Sequence, residues 1–208
     1  MASGINQIES TSKQQTPSIA KTDLDLIRQA REGGQSAFKE LVERYEQQVA
    51  ATVIGMLGDG PDADEVGQET FVRFYKSLDK FRAEAKLGTY LTRIAINLSL
   101  DALRKRQRNL KRFWRWETDE MQPAELIVDS EASYDQNERR DIVRNEVQAL
   151  EAKHRAVVVL RMLRGYSTRE TSEILDIPQG TVLSRLSRGL DKLKERLAPI
   201  IDRTDLNI

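Results

Sequence analysis

Cysteine is absent from the 208 residues, and histidine occurs once, at His154. The first absence removes any disulfide framework and any thiolate metal site. The second leaves no ligand-spaced imidazole pair, so no metal is expected. There is no glycine-rich phosphate loop and no nucleophile elbow, so neither an enzyme nor a cofactor is expected. No apolar run approaches the roughly 18 residues of a membrane-spanning helix. Net charge is missing as well: 33 basic side chains balance 33 acidic ones. Composition alone therefore points to neither nucleic acid nor a membrane surface. The stretch from Met1 to Lys21 is rich in Ser, Thr and Gln and lacks the apolar core of a secretory signal. It reads as a disordered tail, and the expected compartment is the cytoplasm.

The charge that is present is segregated. From Leu103 to Trp116 there are seven bases and no acid; from Glu117 to Asp135 there are seven acids and no base. Hydrophobic residues, 39% of the chain, suffice for one or two modest cores, and they recur at helical spacing almost throughout. Thr22-Asp-Leu-Asp25 looks like a capping box with Asp in place of Glu, opening a short helix to Arg31 that Gly33-Gly34 ends. Phe38, Leu41, Val42, Tyr45, Val49, Val53, Met56 and Leu57 mark a long second helix, and Gly58-Asp-Gly-Pro61 a turn. Val66, Phe71, Tyr75 and Leu78 are expected to face inward from a third. A polar loop follows from Asp79 to Gly88. A fourth helix, Thr89 to about Arg108, would bury Leu91, Ile94, Ala95, Leu98 and Leu103.

Residues 109–134 have weak patterning and read as a linker. Helical pattern resumes with Ile142, Val143, Val147 and Leu150. A further helix carries Val157, Val158, Leu160, Arg161 and Met162 and stops at Gly165. Two helices then flank Asp176-Ile-Pro178, about Thr168 to Leu175 and Gln179 to Leu197. Pro178 fixes a turn, Ser167 or Thr168 can cap the first helix, and Asp176 tolerates a left-handed backbone. Val182, Leu186, Leu190 and Leu193 form an inward stripe on the second helix. Thr181, Ser184, Arg185 and Arg188 share another face, small and basic, as a helix in a major groove requires. This is a candidate DNA-binding helix-turn-helix. The expected fold class is all-α: two small helical domains, residues 22–108 and 135–208, joined by a flexible linker, with no strand pattern and no internal repeat.

Four segments carry a more specific signal. Ala37-Phe-Lys-Glu-Leu-Val-Glu-Arg-Tyr45, Asp62-Ala-Asp-Glu-Val-Gly-Gln-Glu-Thr-Phe71, Phe81 to Asn97 and Asp101-Ala-Leu-Arg-Lys-Arg106 together resemble region two of the extracytoplasmic-function sigma factors. Gly180-Thr-Val-Leu-Ser-Arg-Leu-Ser-Arg188 resembles region four of the same family, and the order along the chain is the family's order. The resemblance implies a transcription initiation factor that binds core RNA polymerase and directs promoter recognition and melting. The minus-ten element would be read as single strand and the minus-thirty-five element as duplex, and an anti-sigma protein would hold the factor inactive.

The resemblance also implies roles for particular residues. Asp64, Glu65, Gln68 and Glu69 would grip core polymerase. Lys80, Arg82, Lys86, Tyr90, Arg93, Asn97, Arg104 and Arg106 would handle the minus-ten strand, where a cationic track and a stacking aromatic suit single-stranded DNA. Arg169, Gly180, Thr181, Ser184, Arg185 and Arg188 would meet the minus-thirty-five duplex. Tyr90 stands where the family has Trp. Thr171-Ser172 replaces a more apolar pair, and Leu183 and Ser187 stand where Lys and His are common. Trp114 and Trp116 either pack against an anti-sigma partner or continue the fourth helix. The competing reading is a stand-alone helix-turn-helix regulator that needs no polymerase.

Overall fold

The computed structural model describes residues 21–83, 85–116 and 136–205, and all the regular structure there is helical. The expected tail up to Ala20 and the linker from Glu117 lie outside the described residues. Helix α1 spans Asp23–Arg31, α2 Gln35–Leu57, α3 Pro61–Lys76 and α4 Leu87–Trp116. In the second half, α5 spans Gln136–Gln148, α6 Ala152–Val158, α7 Thr168–Leu175 and α8 Gln179–Asp205. Helix α6 runs directly into a π turn, Val159–Leu163. None of these helices is long and apolar enough to cross a membrane.

Local chemistry explains most of the ends. Thr22 caps α1 by accepting from the Asp25 amide. The Asp25 carboxylate accepts a hydrogen bond from the Thr22 hydroxyl at 2.7 Å. The Thr22 amide is a weaker second donor to the same carboxylate; the hydroxyl first, then this amide, hold the Asp25 pKa below its ordinary value. Asp is one methylene shorter than the Glu that usually reaches back. Pro61 opens α3 at a first-turn position, where its missing N–H costs nothing. Asp176 ends α7 in the left-handed conformation, φ 52°, in place of glycine. Helix α4 starts two residues earlier than expected and continues eight residues past Arg108, so the basic cluster lies on a helix. Its backbone carries through Trp114 and Trp116.

Helices α1 to α4 enclose the first core. Its centre is Phe74, Leu41, Val49, Val53, Leu26 and Leu91, all at most 1% exposed. The inward ridge of α3 is Ala63, Val66, Thr70, Phe74 and the following Leu78, a four-residue step after the first turn. Tyr75, expected inward, is 55% exposed and lays its ring edge against Phe38 from outside. The loop after α3 is less polar inside than its composition suggests. Phe81 is buried, and the Arg31 guanidinium donates to the carbonyls of Leu78 and Phe81.

The second core draws on both halves. Met56 of α2 and Ile96 of α4 are buried with Val147, Leu150, Val158, Leu160 and Ile174. Polar ties cross the same junction. Gln148 donates to the carbonyls of Ile54 and Gly55 at 3.2 and 2.8 Å, and Arg155 to that of Met56 at 2.7 Å. Gln48 donates to the Tyr166 hydroxyl at 2.9 Å, which lies 2.8 Å from the Thr92 hydroxyl. Val143 is exposed, whereas Val147, one turn further along α5, and Leu150, just after it, are buried. On α8 the inward stripe is Val182, Leu186, Gly189 and Leu193. Leu190 is 38% exposed, because α6 crosses so close that a side chain at Gly189 would meet Val158 at 2.9 Å. His154 sits in this α6–α8 crossing, 3% exposed, with neither ring nitrogen hydrogen-bonded.

Two outcomes follow. Phe74→Ala should cost about 3–5 kcal/mol in chemical denaturation, whereas Tyr75→Ala should cost about 1 kcal/mol. Equal costs would refute the assigned α3 ridge. Burial first, then the charges of Lys192, Lys153 and Arg188 against that of Glu151, holds the His154 pKa below its ordinary 6.5. The neutral ring is favoured in the fold, so its full stability contribution is present above about pH 6.5 and is lost as pH falls through the depressed folded value. As the chain's one histidine, it gives a single Cε1–H resonance by NMR. A native-state midpoint at or above 6.5 would contradict this burial.

Candidate nucleic-acid interface

Helix α3 presents the four residues expected to grip polymerase, but as two rows. Asp64 and Gln68, one turn apart, border a depression of about 250 Å³ shared with α2, whose floor includes Val49, Ile54 and Phe71. Glu65 and Glu69 face the other way, into a groove of about 880 Å³ between α3 and α4. That groove has acids (Asp62, Glu65, Glu69, Asp101) and bases (Arg73, Lys105, Arg106, Arg108) on its walls. Glu69 is already paired with Arg73 at 3.1 Å.

The minus-ten candidates divide differently. Successive residues of a helix are about 100° apart, so Lys86, Tyr90, Arg93, Asn97 and Arg104 follow one stripe along α4 and its lead-in. Arg93 and Asn97 are exposed on it, and Arg104 is exposed but engaged with Asp101 at 2.7 Å. Lys80, Arg82 and Lys86 are exposed around the loop at its upper end. Tyr90 is half-buried. Its hydroxyl lies 3.1 Å from that of Ser77, and its ring packs on Phe81 at 5.0 Å between centroids. Its ring therefore holds the loop against α3. Arg106 leaves the stripe: it lines the α3–α4 groove, and its charge adds to burial in lowering the pKa of Arg155. Arg31, which no pattern marked, fixes the loop's course by its three carbonyl bonds.

The helix-turn-helix is built as a rigid corner. Ser167 and Glu170 form a complete capping box at the start of α7. The Ser172 hydroxyl donates to the Ile177 carbonyl at 2.6 Å, and the Ile177 amide returns to the Ser172 carbonyl at 3.1 Å, closing the turn. Thr171 is fully buried against α8, so this pair does not loosen the packing, but its hydroxyl finds no partner. On α8, Gly180, Ser184 and Arg188 are exposed and Thr181 and Arg185 half-buried, with Val182 buried behind them. Arg169 is exposed at the head of α7, paired with Glu173 at 3.0 Å. Leu183, 55% exposed, falls on the opposite flank of α8, roughly 160° from the middle of the Thr181–Arg188 face. The absence of a cation there does not thin that face.

The family model described as Sigma-70 region 2 matches residues 41–109, and that described as Sigma-70, region 4 matches residues 147–195. The Bacillus subtilis (strain 168) ECF RNA polymerase sigma factor SigW is 31% identical over 183 residues, covering 82% of this chain and 94% of that protein. The chain belongs to the ECF RNA polymerase sigma factor family. The Escherichia coli (strain K12) ECF RNA polymerase sigma-E factor is 32% identical over 187 residues, covering 88% and 97% of the two chains. Among solved structures, CnrH in complex with the cytosolic domain of CnrY superposes with a TM-score of 0.61 at 25% identity, covering 85% of this chain and 97% of that one. The sigma factor RpoE bound to the anti-sigma factor NepR from Bartonella quintana shares the fold, with a TM-score of 0.59 at 23% identity over 77% and 96%. In this sigma factor, α3 and most of α4 fall within the region 2 match, and α7 with most of α8 within the region 4 match.

The unpartnered Thr171 hydroxyl gives a test of the corner. Thr171→Val keeps the shape and removes a buried polar group without a bond. It should raise stability by about 1–3 kcal/mol in thermal or urea unfolding, with m unchanged. A loss of stability would mean that the hydroxyl is bonded in solution.

Proposed function

We propose that this ECF sigma factor binds core RNA polymerase in the cytoplasm, directs it to a set of promoters, and is held in check by an anti-sigma protein. The carrying observation is the pairing, on one chain and in the family's order, of a region 2 match that holds a cationic helix stripe with a region 4 match that holds a rigid helix-turn-helix.

Each surface suits its assigned work. The two polar rows of α3 flank an apolar depression on one side and a charged groove on the other, so a partner helix laid along α3 meets both. Asp64, Glu65, Gln68 and Glu69 are the residues assigned to core polymerase. Lys80, Arg82, Lys86, Arg93, Asn97 and Arg104 form the track for the melted minus-ten strand, with Tyr90 as its internal brace. Taking a base out of the stack costs about a few kcal/mol, which a pocket near Asn97 would have to offset. Arg106, on the wall of the α3–α4 groove, is assigned to the same strand. Arg169, Gly180, Thr181, Ser184, Arg185 and Arg188 address the duplex, with arginine able to take guanine or phosphate. RpoE from Bartonella quintana was solved with the anti-sigma factor NepR. An equivalent partner for this chain would cover its core- and DNA-binding faces.

Run-off transcription with core polymerase on a genomic library tests the reading: discrete products should depend on the added chain. Asn97→Ala should reduce open-complex formation about tenfold or more with core binding unchanged. Arg188→Ala should weaken promoter binding and lower the salt slope by about one if it contacts phosphate. Absence of product at every promoter, or tight specific duplex binding by the chain without polymerase, would overturn the proposal.

A further inference from the structure

Helix α1 reaches both ends of the loop that precedes α4. At its C-terminal end, Arg31 donates from Nε and Nη2 to the Leu78 carbonyl at 3.0 and 2.9 Å, and from Nη2 again to the Phe81 carbonyl. At its N-terminal end, the Asp23 carboxylate accepts from the Tyr45 hydroxyl and from Arg44. The Tyr45 ring in turn lies close beneath Gly88, in the first turn of α4: a side chain there would meet Tyr45 Cε1 at 3.1 Å.

The Arg31 bonds differ from ordinary surface contacts. A guanidinium carries its donors in a fixed plane, and here one fork spans two carbonyls three residues apart. Between them Leu78–Lys80 form a single 3-10 turn, closed by the Lys80 amide on the Ser77 carbonyl at 3.0 Å and the Phe81 amide on that of Leu78 at 3.3 Å. An isolated turn of this kind has poor hydrogen-bond geometry and little stability of its own. Leu78 and Phe81 belong to the first core, and Phe81 packs on Phe74 and Tyr90. Lys80 and Arg82, on either side of Phe81, are left exposed. Two residues past the clamp, Ala83 takes a left-handed φ of 57°, which an alanine adopts only where its surroundings impose it. Arg28, three residues earlier on α1, pairs with Asp25 instead.

We infer that Arg31 is a positioning residue for minus-ten recognition: from α1 it holds the start of the loop in one course before DNA arrives, so that Lys80 and Arg82 meet the strand already in place. This rests on the assignment of Lys80, Arg82, Arg93 and Asn97 to the minus-ten strand in the proposed function. A loop that had to be ordered on binding would lose part of its contact energy to that ordering. It would also tolerate wrong bases more readily, since an adaptable surface re-packs around them.

Arg31 is itself exposed, so truncating it leaves the core intact. Hydrogen exchange in the free chain is read at the Lys80 and Phe81 amides. Arg31→Ala should speed it about tenfold, as expected for the loss of hydrogen bonds from a charged donor. Arg31→Lys keeps the charge but not the fork and should fall between. Arg28→Ala removes the same charge from the same helix and should match the native chain. The variants are then assembled with core polymerase and a fluorescent single-stranded oligonucleotide carrying the minus-ten sequence of a promoter found by run-off transcription. Core affinity should be unchanged. The preference for that sequence over its single-base substitutions should fall about tenfold in Arg31→Ala and less in Arg31→Lys. Unchanged exchange in Arg31→Ala, or faster exchange with base preference intact, overturns the inference. Lost oligonucleotide affinity without faster exchange also overturns it, since Arg31 would then contact the strand directly. A native holoenzyme with no preference among single strands would refute the minus-ten assignment, and with it the recognition clause, while the exchange result would stand.

Discussion

Helix α4 has to satisfy three surroundings at once, and the rest of the molecule is arranged around that demand. One side, Leu91, Ala95 and Leu98, closes the first core. A second side, with Ile96 buried and Leu100 and Leu103 partly so, belongs to the core shared with the second half. The remaining stripe carries Arg93, Asn97 and Arg104 to solvent. Period 3.6 divides a 30-residue helix into such strips without cost to its backbone. Two buried faces leave little freedom to rotate, so the polar stripe is set in place by packing that it does not share.

Arg155 shows how the second core tolerates charge. A guanidinium that stays charged cannot be buried without acceptors. Here the acceptors are the Gln148 side-chain oxygen and main-chain carbonyls, among them that of Met56 at the end of α2, which has no partner within its own helix. Each side answers the other's unmet need. Gln148 likewise answers the Gly55 carbonyl, while the Ile54 carbonyl it also meets already accepts from the Gly58 amide. These bonds differ from the surface pairs Arg28–Asp25 and Arg144–Asp141, which are exposed and contribute little.

Rigidity is distributed unevenly, and usefully so. The helix-turn-helix corner is over-determined by the Ser167–Glu170 box, the left-handed Asp176 and the Ser172–Ile177 bonds. The loop before α4 is tied down by Arg31, Phe81 and Tyr90. Candidate contact residues such as Lys86, Asn97, Ser184 and Arg188 stand exposed on these supports. Preorganised backbone beneath mobile cationic side chains suits a polyanion whose affinity comes largely from released counterions.

Much of this was legible beforehand. The helical periods, the turn at Gly58–Pro61, the corner at Asp176–Pro178 and the family resemblance all follow from local spacing, because capping, proline and amphipathic stripes are written within a few residues of each other. The errors share one cause. Periodicity assigns Tyr75 and Leu190 inward, but it locates a stripe only to within one residue; neighbouring helices decide which edge of it is covered. Gly189 displaced Leu190 because α6 crosses there. The contacts of Tyr90 with Ser77 and Phe81 likewise depend on how the loop folds back over α4. Arg31, Gln48, Gly55, Arg155 and Tyr166 carried no signal, since each acts on backbone or hydroxyls between about 50 and 120 residues away. By itself the sequence determined the helices, their order and the family. Only the tertiary structure decided which faces meet, because burial is a property of two surfaces and a period describes one.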